Sequence, residues 1–331
     1  MTERKATYYR VLADGKVLCT LCPQACRLDE GESGRCRGRV ARGKELYTVN
    51  YGQVSALALD PIEKKPLYHF HPGSLVLSVG TVGCNLRCQF CQNWRIAHDE
   101  ADTEFISPEK LVALAVGAKV QGNIGLAYTY SEPLVWFEYI FDTARLARRQ
   151  GLKNVLVTNG YLNPEPLKEL LPYLDGVNLD LKGPDAFYQK HCEGRLAPVR
   201  KTAEQLVGRV HLEVTSLLIP GENDGPDAIE DLVGFLADLD GKIPLHFSRY
   251  FPQYRLNIPP TPLSTLEQAY RLAREKLDYV YIGNVGDPVY SRTDCPRCGA
   301  VLVERSAYGV KLDGVKNRHC AGCGEEVDLI L

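Results

Sequence analysis

Short apolar segments alternate with amphipathic helical segments through the middle of this 331-residue chain. Strands that alternate with helices form βαβ units, in which successive strands are parallel. Right-handed crossovers between many such units curl the sheet into a full or partial (β/α) barrel, and an open doubly wound sheet is the alternative that periodicity leaves open. Strands are predicted at residues 75–79, 124–128, 154–158, 176–181, 210–218, 244–247 and 279–282.

The helix after the first strand has a clear start. Ser107 suits the N-cap, Pro108 the first helical position and Glu109 the first turn. In a barrel, the chemistry takes place on loops that leave the C-terminal ends of the strands. The apolar face of this helix is predicted to contain Leu111, Leu114, Ala115 and Ala118. Later helices are predicted at residues 134–149, 164–171, 226–239 and 263–277, with further helical stretches before residue 208.

Cysteine is the unusual part of the composition. The chain has 12 cysteines, and all but Cys192 fall in three tight groups. The N-terminus is polar and no segment approaches the roughly 18 apolar residues of a membrane span, so we expect a cytoplasmic protein that does not engage a membrane. Thiols stay reduced there, so these groups are expected to bind metal or act in catalysis rather than form disulfides. The net charge of −2 argues against a generic nucleic-acid-binding protein.

The sharpest motif is Cys84, Cys88 and Cys91, directly after the first predicted strand. Three thiolates in one loop can coordinate three irons of a [4Fe–4S] cubane and leave the fourth iron open to a small molecule. An electron-transfer ferredoxin would supply a fourth cysteine. The alternatives are three structural cysteines or part of a zinc site.

This Cys-x3-Cys-x2-Cys spacing, with Phe90 before the last cysteine, resembles the signature of the radical S-adenosylmethionine (SAM) superfamily. The resemblance implies that the open iron binds the amino and carboxylate groups of SAM. It also implies that an electron from the cluster cleaves SAM to methionine and a 5′-deoxyadenosyl radical, which abstracts hydrogen from a substrate. Phe90 is then expected near the adenine.

Tyr130-Ser131-Glu132-Pro133, after the second strand, resembles the Gly-Gly-Glu-Pro segment that holds the SAM amino group in this superfamily. A carboxylate suits that role because it pairs with an ammonium group in a partly dry site. The departure is Tyr130 and Ser131 in place of two glycines. As an alternative, Glu132 is an acid at the N-terminus of the following helix.

Two further polar segments end strands. Thr158-Asn159-Gly160 resembles a ribose- or carboxylate-binding turn of glycyl-radical activating enzymes, and it is also an ordinary turn sequence. Asp180 and Lys182 share one face by alternation, and the matching Asp-x-Lys of those enzymes lies beside SAM.

Three more residues are candidates on weaker grounds. His246 and Arg249, near the end of a later strand, either face the same cavity or are packed or solvated side chains. Cys192 is expected to be a buried thiol, with a role as hydrogen-atom donor or extra ligand as the alternative.

Two groups of four cysteines flank the central segment. At the C-terminus, two Cys-x-x-Cys pairs suit a structural tetrahedral zinc, with rubredoxin-type iron as the alternative, and their members are Cys295, Cys298, Cys320 and Cys323. At the N-terminus the spacing matches neither common ferredoxin pattern, so zinc, a second iron–sulfur cluster and no metal all stay open. This second group consists of Cys19, Cys22, Cys26 and Cys36.

Four segments narrow the resemblance to the radical SAM component of the AmmeMemoRadiSam system, in the group similar to pyruvate formate-lyase activating enzymes. This implies a low-potential electron donor such as flavodoxin or ferredoxin, and it makes Memo-like and AMMECR-like proteins candidate partners. The segments are the N-terminal Cys-x2-Cys-Pro-x2-Cys unit, residues 59–70, residues 91–94 and residues 281–285. Within residues 59–70, the residues expected to bind substrate or to seal the bottom of the barrel are Glu63, Lys64, Lys65 and His69.

Together these features predict a Cys-rich extension at residues 1–73, a radical SAM barrel at 74–287 and a zinc ribbon at 288–331. The predicted function is a radical SAM enzyme whose substrate is a small molecule, a protein or RNA. The alternatives are an activase that installs a glycyl radical on a partner protein, and a non-catalytic metal-cluster scaffold. Basic residues of the ribbon are a hypothetical docking site for a macromolecule, namely Arg297, Arg305, Lys311, Lys316 and Arg318.

Overall fold

The computed structural model describes residues 3–306 and 309–331. Strands and helices are numbered along the chain. The N-terminal strands are β1 (Arg4–Lys5), β2 (Tyr9–Val11), β3 (Val17–Cys19), β4 (Arg27–Leu28), β5 (Arg39–Arg42), β6 (Glu45–Thr48) and β7 (Gln53–Val54). The central strands are β8 (Ala56–Pro61), β9 (Leu75–Gly80), β10 (Glu104–Phe105), β11 (Asn123–Tyr128), β12 (Lys153–Thr158), β13 (Gly176–Asp180), β14 (His211–Leu218), β15 (Leu245–Arg249) and β16 (Val280–Gly283). The C-terminal strands are β17 (Thr293–Asp294), β18 (Val301–Ser306), β19 (Gly309–Lys311), β20 (Val315–Lys316) and β21 (His319–Cys320).

The helices lie mainly between the central strands. A π-helical turn at Tyr188–Cys192 continues α5, and a 3-10 turn at Pro133–Trp136 precedes α3. The helices are α1 (Trp94–His98), α2 (Pro108–Gly117), α3 (Phe137–Arg149), α4 (Pro164–Leu170), α5 (Asp185–Phe187), α6 (Leu196–Leu206), α7 (Pro226–Asp240) and α8 (Leu263–Arg274).

One eight-stranded sheet organises the protein, in the order β16-β15-β14-β13-β12-β11-β9-β8. Strands β9 to β16 of this sheet pair in parallel, and β8 adds to its edge antiparallel to β9. The sheet of the described residues therefore ends at β8 and β16, which is the partial form of the predicted barrel. The α/β fold with a parallel sheet is confirmed.

The start of α2 is as predicted, but its apolar face differs. The hydroxyl of Ser107 accepts a hydrogen bond from the Lys110 amide at 3.2 Å, as an N-cap does. Leu111 and Ala115 are fully buried, whereas Leu114 is 42% exposed. The prediction for Leu114 was wrong because the buried face of α2 is rotated toward Val112, and Ala118, also predicted there, lies beyond the end of the helix and is half-buried.

The predicted boundary between residues 73 and 74 stays a prediction. Strand β8 falls on its N-terminal side, yet it pairs with β9 along its whole length. Strand β7 also reaches across, because it pairs with β10. Strands β7 and β8, which the prediction placed in the extension, thus pair with strands of the predicted barrel segment.

A buried polar cluster closes the N-terminal ends of β14 to β16. Both carboxylate oxygens of Glu213 accept backbone hydrogen bonds, from Tyr68 at 2.9 Å and His69 at 2.7 Å. The Nε2 atoms of His211 and His246 lie 2.9 and 2.7 Å from the same carboxylate. Burial alone would raise the pKa of Glu213, but the hydrogen bonds from the two histidines hold that pKa well below its usual range.

The C-terminal segment packs against this closed end. Burial lowers the pKa of His69 to about 3, so its neutral ring donates to the Asp328 carbonyl at 2.6 Å and accepts from Tyr281 at 2.6 Å. Arg305 donates to the Tyr68 and Ser291 carbonyls and is 6% exposed. Arg305 therefore anchors the C-terminal segment internally, which contradicts its predicted place on a docking surface.

We expect Glu213→Gln to destabilise the protein by about 3 kcal/mol or more, because it leaves a buried polar cluster without its charged partner. Chemical denaturation measures this change. The exposed Glu230→Gln is the matched control, with an expected change within about 0.5 kcal/mol. The stabilisation from Glu213 is present above the unfolded carboxyl pKa and disappears as the pH falls below about 4. Equal stability of the two variants would contradict this role.

Candidate active site

The C-terminal ends of the strands surround a cavity of about 400 Å³. Loops after four different strands supply its walls, which is where a barrel places its chemistry. Thr158 lies just outside the cavity and hydrogen-bonds to Glu132. The other predicted site residues of this region all line it: Cys84, Cys88, Phe90, Cys91, Tyr130, Ser131, Glu132, Asn159, Asp180 and Lys182.

The cysteine loop is held by close packing at its start. Gly83 has a φ of 97°, and a Cβ atom there would lie 2.2 Å from the Cys36 carbonyl oxygen, so only glycine fits. The Cys84 sulfur accepts from the Leu86 amide at 3.4 Å and from the Asn159 side chain at 3.6 Å. Burial raises the pKa of Cys91 to about 11, so metal binding there must release a proton.

The spacing of the three sulfur atoms fits a cluster better than a single ion. Within the described residues, the group of three or more ligand atoms that all lie within 4.8 Å of one another is the C-terminal cysteine quartet. Cys84, Cys88 and Cys91 do not meet this limit although they line one cavity. Corners of a cubane are farther apart than ligands of one zinc ion, so this donor set suits [4Fe–4S].

Glu132 is buried and its carboxylate is fixed from three sides. It accepts hydrogen bonds from the Leu134 amide at 2.9 Å, the Thr158 hydroxyl at 2.7 Å and the Asn159 amide at 2.8 Å. Burial, which outweighs these hydrogen bonds, raises the pKa of Glu132 to about 7. Glu132 therefore caps the following helical turn, as its alternative interpretation predicted, and it also lines the cavity, while its contact with SAM stays a prediction.

Tyr130, one of the two residues that stand in place of glycines, has partners of its own. Tyr130 has a φ of 72° and donates its hydroxyl to Asp60 at 2.8 Å. Lys65 lies 2.8 Å from the same carboxylate. Burial alone would raise the pKa of Asp60, but hydrogen bonds from Lys65 and Tyr130 lower it to about 2. The sequence analysis did not identify Asp60 as a partner of these two cavity-lining residues, although Asp60 lies in the conspicuous run at residues 59–70.

Asp180 and Lys182 form an ion pair on the cavity wall. The Lys182 ammonium lies 2.8 Å from the Asp180 carboxylate. Burial alone would lower the pKa of Lys182, but the charge of Asp180 raises it well above its usual value. Asn223 fixes the backbone at this point by donating to the Lys182 carbonyl at 2.6 Å. Lys182 is therefore a permanently charged group in a fixed position.

The π-helical turn packs beneath the cysteine loop. Phe187, just before it, contacts the ring of Phe90 with centroids 5.5 Å apart. Cys192, at its end, is fully buried, and its carbonyl accepts a hydrogen bond from the amide of Arg87, the neighbour of Cys88, at 2.9 Å. Cys192 is thus a buried thiol as predicted, but it is in contact with the site.

The residues predicted to bind substrate, to seal the bottom of the barrel or to face the cavity separate into two groups. Lys64 and Lys65 line the cavity. Glu63 bonds to the Gly73 amide at 2.7 Å, and His69 belongs to the closed end. His246 pairs with Glu213 there, and Arg249 donates to the Thr261 carbonyl, so neither lines the cavity.

The C-terminal quartet is compact enough for one tetrahedral ion. The Cys295 and Cys323 sulfurs are 3.6 Å apart, and those of Cys298 and Cys320 are 3.7 Å apart. Zinc with bonds of about 2.3 Å places its thiolates roughly 3.8 Å apart. The quartet is compatible with a zinc-ribbon-like module.

Comparison with known proteins identifies the family. A model of the radical SAM superfamily matches residues 78–236. An uncharacterized protein from Methanocaldococcus jannaschii is 44% identical and covers 99% of this chain and 100% of its own. The pyruvate formate-lyase-activating enzyme of Clostridium pasteurianum is 25% identical over 47% of this chain and 67% of that enzyme. GTP 3′,8-cyclase of Peptoclostridium acidaminophilum is 31% identical over 51% of this chain, which spans about half (53%) of the cyclase.

A solved radical SAM methyltransferase from Sphaerobacter thermophilus shares the fold, with a TM-score of 0.52 and 16% identity over 64% of this chain and 67% of that one. Residues 78–236 are a radical SAM domain, and the chain has homologues among pyruvate formate-lyase-activating enzymes. It is therefore an enzyme of a class that generally binds a [4Fe–4S] cluster and cleaves SAM reductively. None of the helices in the described residues is long and apolar enough to cross a membrane.

Proposed function

We propose that this enzyme cleaves SAM at a [4Fe–4S] cluster held by Cys84, Cys88 and Cys91, and that the resulting radical abstracts hydrogen from a substrate in the cavity. The observation that carries this proposal is the convergence of these cysteines with Glu132 and the Asp180–Lys182 pair around one cavity. When bound, the cluster supplies the electron for SAM cleavage. The protein's own residues bind, orient and shield the reactants.

Glu132 is the residue assigned to the amino group of SAM. Its carboxylate is held in place by Thr158 and the Asn159 amide, so it does not have to reorganise on binding. A pKa of about 7 means that the group is easily ionised by an approaching cation. Glu132 thus selects a ligand with a positively charged amine.

Lys182 and Phe90 are assigned to the rest of SAM. Lys182 presents a fixed positive charge to carboxylate or ribose oxygens, and Asp180 balances it. Phe90 is 5% exposed and lines the cavity, so only a small part of the ring is offered to the adenine. These groups keep water away from the reacting atoms.

A second candidate function is glycyl-radical activation of a partner protein. The observation in its favour is the similarity to pyruvate formate-lyase-activating enzymes, over about half of this chain. It predicts an EPR-detectable glycyl radical on the partner after incubation with this enzyme, SAM and reductant. Absence of that signal with turnover of SAM on another substrate would exclude it.

The test of the main proposal is anaerobic reconstitution, followed by assay of 5′-deoxyadenosine with a low-potential donor such as flavodoxin or ferredoxin. Memo-like and AMMECR-like proteins are proposed partners, and each is added to the assay in turn. Deuterium transfer from a labelled substrate into 5′-deoxyadenosine identifies the hydrogen donor. Failure of a fully loaded enzyme to cleave SAM under all these conditions would refute the proposal.

The proposed location is the cytoplasm, where fractionation would find the protein.

The C-terminal quartet is proposed to bind structural zinc. We expect Cys298→Ser to lower the zinc content by about one ion per chain, because a tetrahedral site needs all four thiolates. Metal analysis of purified protein measures this loss. Iron content and SAM cleavage should stay at wild-type levels, since the quartet is remote in sequence and lines no part of the cavity. Retention of zinc, or iron in its place, would contradict the assignment.

A further inference from the structure

The four N-terminal cysteines converge on a chamber of their own. Strand β3 ends at Cys19, whose amide donates to the Cys26 carbonyl at 3.0 Å. The turns that follow bring Cys22 and Cys36 to the same place. A small, largely enclosed cavity is lined by all four residues, together with Arg39 and Asn85. The chamber is therefore a built site with four thiol donors.

The spacing of its sulfurs argues against a single ion. The C-terminal quartet shows what a one-ion site looks like in this chain, with all four sulfurs within 4.8 Å of one another. The N-terminal cysteines, all of which are described, do not meet that limit. They share this wider spacing with the three cysteines of the SAM site. Wider separation around one chamber suits the corners of a cubane.

Arg39 supplies an independent observation. Its side chain is fully buried, and it pairs through Nη2 with Glu138 at 2.7 Å. Its Nε and Nη1 groups have no hydrogen-bond partner among the described residues. Buried N–H donors without acceptors are costly, so they point to a group that the chamber is made to hold. Sulfur atoms of an anionic metal–thiolate cluster are such acceptors, and N–H groups around clusters commonly bond to them.

The chamber is in direct contact with the loop of the SAM site. Gln24 donates its side-chain amide to the Asn85 carbonyl at 2.8 Å, and Asn85 is the neighbour of Cys84. The Cys36 carbonyl packs against Gly83 so closely that no side chain fits between them. The chamber and the loop of Cys84 are thus held side by side.

We propose that Cys19, Cys22, Cys26 and Cys36 bind a second [4Fe–4S] cluster, fully ligated by cysteine and adjacent to the SAM cluster. Four protein ligands leave no iron open, so this cluster does not bind SAM. Arg39 donates hydrogen bonds to its sulfurs. The proposal goes beyond the proposed function and does not depend on it, because it concerns a site that can be isolated by mutation.

The decisive variant is Cys84→Ala/Cys88→Ala/Cys91→Ala, reconstituted anaerobically in the full chain. It should retain about four irons and about four sulfides, with about one zinc at the C-terminal quartet. Reduction should give a [4Fe–4S] EPR signal that does not change when SAM is added. A variant with no iron and about two zincs would overturn the proposal in favour of zinc. A variant with about one zinc and no iron would overturn it in favour of an empty chamber.

The reciprocal variant is Cys22→Ala/Cys36→Ala. Its iron content should fall from about eight to about four per chain, and the EPR signal that remains should respond to SAM. Cys298→Ser is the matched control, which removes a metal-binding thiol and should keep about eight irons. In the fully reduced wild type, magnetic coupling between neighbouring clusters should broaden both signals. Two sharp, independent signals would contradict the adjacency.

Discussion

Cys88→Ala should abolish 5′-deoxyadenosine formation and lower the iron content by about four atoms per chain. Cys88 lies in the middle of the ligand loop and is 8% exposed, so water cannot easily replace its sulfur as a ligand. A cubane that keeps two of three cysteines is expected to lose iron during purification. Metal analysis and chromatographic assay of 5′-deoxyadenosine under a low-potential reductant measure both effects.

Cys192 makes a double variant necessary. Because this buried residue bonds through its carbonyl to the Arg87 amide, next to Cys88, its thiol is near enough to replace the missing ligand. Partial activity in Cys88→Ala that disappears in Cys88→Ala/Cys192→Ala would identify this replacement. Full activity in the double variant would refute the assignment of the SAM cluster to this loop. Cys298→Ser controls for the loss of a thiol elsewhere in the chain.

Glu132→Gln should weaken SAM binding by about 10- to 100-fold, which corresponds to the roughly 1.5–3 kcal/mol of a hydrogen bond to a charged group. The amide keeps the size of the side chain and its ability to cap the following turn, but it loses the negative charge. Equilibrium binding of SAM to the reconstituted enzyme measures the change. Glu109→Gln is the matched control, because Glu109 is an exposed acid in the first turn of α2. A purely structural Glu132 would leave SAM affinity unaltered.

The same residue should make SAM binding depend on pH. Burial raises the pKa of Glu132 to about 7, so the carboxyl is largely protonated at pH 6 and cannot attract an amine cation. Affinity should therefore fall as the pH decreases through 7, by roughly eightfold between pH 7.5 and pH 6. Glu132→Gln should remove this dependence. A wild-type affinity that is constant over this range would show that Glu132 does not ionise on binding.

The sequence predicted seven of the eight strands of the central sheet, because local pattern decides them. Residues 75–79 and 124–128 are apolar runs, and both lie within observed strands. It also identified the polar residues at the strand ends that now surround one cavity. It did not predict Asp60 beneath Tyr130, because that contact joins residues about 70 apart in the chain. The exposure of Leu114 was missed for the related reason that helical periodicity does not decide whether Leu114 or Val112 borders the buried face.

His246 shows a different limit of prediction from sequence. Its place near the end of a predicted strand suggested a cavity wall, but it lies near the beginning of the longer β15 and pairs with Glu213. Because the strand continues to Arg249, His246 is the second residue of β15 and lies toward the N-terminal ends of the strands, away from the cavity. Arg305 was likewise misplaced, because its positive charge gave no sign of the buried carbonyls that it bonds.

The sequence by itself determined the superfamily and the parallel α/β architecture, because both depend on local features: the spacing of Cys84, Cys88 and Cys91 and the alternation of strands with helices. Only the tertiary structure decided which of the three cysteine groups are compact and which are wide. The distances between Cys19, Cys22, Cys26 and Cys36 depend on how turns and strands pack, and spacing along the chain does not specify them. The same packing leaves the buried donors of Arg39 at the chamber wall, and this placement, which the sequence could not give, is what favours the proposed metal site.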